Sequence, residues 1–123
     1  MSADLGLWAA MGLSALWCAV HLFVGEREIA APLRHDRTLS PVVRNTAFLC
    51  WHMVSVSLAL MAVFFAMGAL VSVSYAVCAV CLALGFVCVG LILPWAVSAP
   101  YLQVPQGWLF IPVVGFGLWG ILG

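Results

Sequence analysis

Two histidines, His21 and His52, lie inside apolar stretches, where an imidazole has few neutral explanations. An ionisable side chain within a membrane-crossing run is a functional candidate by default. His21 closes the apolar run "GLSALWCAVHLFVG", and His52 opens "CWHMVSVSLALMAVFFAMGAL". Measured inward from the charged segment between them, they lie roughly 6 and 10 Å deep at ~1.5 Å per helical residue. Antiparallel neighbours would therefore carry them at similar height. At helical spacing His21 shares a face with Leu7, Ala10, Ser14, Trp17, Cys18 and Gly25. His52 shares one with Asn45, Phe48, Ser55, Val56, Ala59, Val63 and Ala66. Faces rich in small and polar residues turn toward other helices, so both rings are expected to point inward and approach each other.

Three chemistries fit such a pair. Neutral histidines can hydrogen-bond across helices to Ser14, Ser55, a backbone carbonyl or each other. Two facing imidazoles can instead ligate haem iron axially, as in haem b, or help hold a transition metal. Arg44 then stands where it can meet a propionate. The third is a proton relay or polar site with Glu26 and Glu28. Those two carboxylates also have a plainer use, as partners of nearby arginines.

The remaining chemical residues are weaker signals. "CAVC", Cys78 to Cys81, lacks the second ligand pair of a structural zinc site. All five cysteines fall in apolar runs, where they serve as small packing residues rather than as a disulfide framework. No metalloprotease, phosphate-loop or nucleophile-elbow motif occurs, and no catalytic residue is named.

The elements that must position these groups follow from hydropathy. Of 123 residues, 67% are hydrophobic and 7% charged, too little charge for the surface of a soluble domain. We expect a single all-α domain over residues 1–123, an integral-membrane four-helix bundle with spans at about 5–25, 45–70, 75–95 and 107–122. The last is short and contains Pro112. The first is read as an uncleaved helix, because it lacks a basic leading region. Ser40 and Pro41 form a helix start by capping and by the proline preference for the first position. Trp95, Tyr101 and Trp108 suit a membrane interface.

All four cations are arginines, Arg27, Arg34, Arg37 and Arg44, between the first two spans. That asymmetry places the 26–44 loop, broken by Pro32 and Pro41, in the cytoplasm of a bacterial inner membrane, with both termini opposite. Zero net charge gives no reason to expect nucleic acid. The partners expected are the lipid bilayer, other membrane proteins and the chain itself. "GFGLWG" and the Cys81–Gly85 pair offer close-approach surfaces for helices. The functional expectation is a non-enzymatic accessory, assembly or scaffold-like membrane component. A haem- or metal-binding redox protein and a small oligomeric transporter are the alternatives.

Overall fold

A computed structural model describes residues 3–123. Helix α1 (Ala3–Val20) runs directly into a π-helical stretch (His21–Ala30) and then α2 (Ala31–His35). Helices α3 (Pro41–Leu70), α4 (Val73–Ala96) and α5 (Gln106–Leu122) follow, and the described residues are otherwise turns and short links. Three helical rods are long and apolar enough to cross a membrane: Asp4–His35, Pro41–Leu70 and Val73–Ala96. Helix α5 has 17 residues, about 25 Å of rise against a ~30 Å hydrocarbon core. It is apolar but short, as its sequence indicates.

The helix ends have local causes. The Ser40 side chain accepts from the Val43 amide at 3.4 Å, and Pro41 occupies the first turn of α3, where no amide is needed. Ser72 does the same for α4 through the Ser74 amide. At the other end of α4, Ser98 adopts φ 55. Its amide bonds to the Trp95 carbonyl, and the Ala99 amide reaches back to that of Pro94. This paired closure normally uses glycine in the left-handed position; here serine bears the cost.

The first rod departs from expectation. Residues 26–35 are helical, so the charged loop shrinks to residues 36–40. Pro32 does not break the rod. The Ala31 amide bonds to the Glu26 carbonyl, a register of five. That wider turn draws away the carbonyl that a proline ring strikes in a regular α-helix, and Pro32 then sits in the first turn of α2.

Helix α1 packs against α3 and α5, and α4 packs against the same two. Contacts run in opposite senses along each neighbouring pair: Trp17 meets Leu109 while Gly6 meets Gly120, and His21 meets Trp51 while Cys18 meets Ser55. The core is a division between large and small. Leu58, Met61 and Phe65 project from α3 and Leu7 from α1. Gly117 and Gly120 of α5 receive Phe65 and Leu7, and Ala76, Ala79 and Ala83 of α4 are buried in the same core. The Phe65 ring lies directly over Gly117. At Gly90 and Gly107 the backbones themselves touch: a Cβ on Gly107 would lie 2.7 Å from the Gly90 oxygen. Pro94, four residues on from Gly90, has no amide to give that carbonyl, so its oxygen is free to face the glycine.

The rods differ in length. Helix α3 begins at Pro41, ten residues before Trp51, or ~15 Å farther out. The π-helical stretch and α2 pack against this part of α3. Together they form a two-helix arm rising above the four-helix layer.

Candidate functional site

The base of the arm is organised by Trp51. Its ring stacks on that of His21, with centroids 3.9 Å apart and planes 15° from parallel. His21 Nε2 lies 3.2 Å from the Trp51 carbonyl oxygen. A carbonyl only accepts, so Nε2 carries the proton in this contact. The far edge of the same indole lies on Gly25, where a Cβ would stand 2.6 Å from Cζ2. His21 and Gly25 are one wide turn apart in the π-helical register, and Trp51 occupies the face between them. A π-helical segment is uncommon and tends to mark functional positions. Here it brings a ring and a bare backbone onto one aromatic plate.

A polar seam continues from this plate. The Ser55 hydroxyl donates to the Trp51 carbonyl at 3.3 Å, and the Cys18 thiol meets the Ser55 carbonyl at 3.8 Å. Ser14 does not join it; its hydroxyl donates to Ala10 within its own helix at 2.8 Å. Trp51 Nε1 is buried and has no hydrogen-bond partner among the described residues. An unmet donor of this kind costs about 1–3 kcal/mol.

His52 is not in the seam. Its ring is exposed and meets the edge of Phe48, with centroids 4.5 Å apart and planes at 86°. The expectation that both histidines turn inward is therefore corrected. Val56, Ala59 and Val63, assigned to the same inner face, are exposed as well. The inner face of α3 is instead Trp51, Ser55, Leu58, Met61 and Phe65. Small residues do mark contact faces at Ala76, Ala79 and Ala83 of α4 and at Gly117 and Gly120 of α5, whereas the Cys81–Gly85 pair expected as a close-approach surface is exposed and meets no other helix at Gly85. Inverting the rule on α3 turned its face by about 100° per residue of offset.

His21 and His52 thus have separate partners, and neither ring is presented to the other as half of a ligand pair. Among the described residues no three histidine, cysteine or acidic side chains converge as a metal-binding group. Arg44 donates to the Asp36 carbonyl at 3.3 Å and closes the 36–40 turn. The Arg34 guanidinium lies 5.3 Å from the Phe48 ring centroid. These two arginines are engaged by a carbonyl and an aromatic face, respectively. Cys50, Cys78, Cys81 and Cys88 are exposed and unpaired, and Cys18 is buried. Gly25 was signalled in the sequence by its place on the face of His21; Trp51, adjacent to His52, was not, and the meeting of the two is tertiary.

The turn itself has a titratable anchor. Asp36 accepts from the Thr38 hydroxyl at 2.6 Å and from the Thr38 amide at 2.8 Å. These bonds, the hydroxyl foremost, hold its carboxyl below the usual 3.8. A depressed folded-state pKa stabilises the turn above the unfolded value, and that contribution disappears as pH falls through the folded value. Thr38→Val is therefore expected to move the Asp36 titration upward, toward 3.8. Carboxyl NMR shifts across the acid range measure it; an unmoved midpoint would mean the hydroxyl is not the cause.

Comparison with protein-family models, with curated proteins and with solved structures finds no match for this chain, leaving its function to be argued from its own geometry.

Proposed function

We propose that this chain is a four-span protein of a bacterial inner membrane, acting without catalysis as an accessory, assembly or scaffold-like component. The observation that supports this best is the two-helix arm. It carries exposed apolar side chains, Ile29, Val42, Val43 and Leu49, on the two elements that bear Arg27 and Arg44, with Arg34 and Arg37 on the α2 segment and turn between them. Apolar surface rimmed by charge, raised on a packed stem, suits docking to a partner at the membrane face. The His21–Trp51–Gly25 layer fixes the stem to the bundle. In this reading His21 packs and hydrogen-bonds; ligation would require it to leave Trp51 and His52 to leave Phe48.

The arginines orient the arm toward the cytoplasm and both termini away from it. A reporter fused after Gly123 is expected to be active only on the non-cytoplasmic side. Cytoplasmic activity would reverse the orientation or remove α5 as a span. Photo-crosslinkers at Val42 and Leu49, in native membranes, are expected to give one discrete adduct. Crosslinkers at Gly12, on the exposed surface of α1, should give none. Identical products from both regions would remove the docking role from the arm.

A further inference from the structure

Past Gly25, the π-helical stretch turns a second face away from α3. In a register of five, residues four and five apart stack, so Phe23 lies beneath Arg27 and Glu28. With Val24 these residues line a hollow of about 440 Å³. It is an open hollow on the surface, suited to covering one side of a ligand rather than enclosing it. Phe23 is 72% exposed, and Val24, Arg27 and Glu28 are exposed too. Along the axis the apolar pair comes first, nearer the four-helix layer, and the charged pair follows. The layer itself ends close by, where Trp17 meets Leu109 and the exposed Trp95 and Trp108 flank the α4–α5 link. The hollow thus runs from apolar to charged in the same direction as a lipid runs from acyl chain to headgroup.

We propose that this hollow holds the headgroup of a zwitterionic aminophospholipid, an inference that rests on the membrane reading above. Arg27 engages the phosphate oxygens, Glu28 receives the primary ammonium, and Phe23 and Val24 cover the first acyl carbons. Charge selects this occupant. The guanidinium and the carboxylate sum to zero, as do the phosphate and the ammonium. An anionic headgroup would satisfy Arg27 but leave Glu28 opposed to it. A choline headgroup has the positive charge but no N–H to donate to the carboxylate. Arg34 and Arg44 are turned to Phe48 and the Asp36 carbonyl, Arg37 lies in the 36–40 turn, and Arg27 is the arginine among the residues lining the hollow.

The test is lipid retention by native mass spectrometry. The purified protein is equilibrated with an equimolar mixture of phosphatidylethanolamine, phosphatidylglycerol and phosphatidylcholine of matched chains. One phosphatidylethanolamine is expected to be retained over each competitor by about tenfold. Arg27→Gln should lower its retention by about the same factor. Glu28→Gln should abolish the preference over phosphatidylglycerol while keeping phosphate binding. These are surface positions, and helix content by circular dichroism checks that each variant folds. Equal retention of the three lipids, a preference for phosphatidylglycerol in the unmodified protein, or a preference unchanged by Glu28→Gln would each overturn the assignment. Carbonate extraction of the same membranes separates the two readings. Release of the protein would defeat membrane insertion itself, whereas a membrane-held protein without lipid preference would defeat only the headgroup site.

Discussion

Gly107→Ala is expected to lower stability by about 3 kcal/mol, the upper end of overpacking costs. The new methyl would meet the Gly90 backbone, 2.5 Å from its carbonyl carbon and 2.7 Å from its oxygen. Backbone atoms cannot swing aside as a side-chain tip can, so relief requires α4 and α5 to separate. Gly90→Ala should behave alike, since its Cβ would stand 2.5 Å from the Gly107 Cα. On the proposed membrane placement the loss is one of dispersion contact, because apolar surface in lipid gains nothing from leaving water. Gly12, Gly85 and Gly115 provide the contrast: a Cβ at any of them meets nothing within 4 Å. Alanine there should be neutral or stabilise by up to ~1 kcal/mol through helix propensity. Reversible unfolding in mixed micelles measures the series. Equal effects at Gly107 and Gly115 would mean that α4 and α5 do not touch at this point.

Trp51→Ala should have the next largest effect, a loss of about 2–3 kcal/mol, somewhat below that of a fully buried aromatic. The indole is half-buried, yet it covers Gly25 on one edge and stacks on His21 with its face. Trp51→Phe keeps an apolar plate and removes the unpartnered Nε1 donor, so it should cost far less. His21→Gln retains a donor for the Trp51 carbonyl and loses the stack. Its hydrogen-bond share is small, because such bonds in membranes average ~0.6 kcal/mol. A double-mutant cycle between positions 21 and 51 should give a coupling of about 0.5–1.5 kcal/mol, the range for stacked rings. His52→Gln, at an exposed position, should stay within about 0.5 kcal/mol. Comparable losses at His21 and His52, together with an absorption band that vanishes in both variants, would instead restore the pair as haem ligands.

The unequal fate of the two histidines shows where sequence reading ends. Their depth is a matter of counting residues, and counting is reliable in a helix. Their direction depends on which side of each helix faces inward. Helices α3 and α4 are apolar nearly all round, so no hydrophobic stripe marks that side. Small residues were the remaining guide. They point correctly on α5, where Gly117 and Gly120 meet Phe65 and Leu7, but not at the exposed Cys81–Gly85 pair of α4, and misleadingly on α3, where Phe65, Met61 and Leu58 are the buried side chains.

By itself the sequence determined the all-helical class, the four apolar segments and the shortness of the last. It also determined the Ser40–Pro41 start of α3. Each rests on properties of a local window: hydropathy, length, and the amide accounting of a helix end. Only the tertiary structure decided that residues 26–35 continue the first rod, because that needs a five-residue register, and the plate that fits this register, Trp51, comes from another helix. The same holds for the Gly90–Gly107 contact and for the exposure of His52. These follow from how four nearly featureless cylinders fill space together, and close fit between large and small side chains from different helices is not encoded in any one of them.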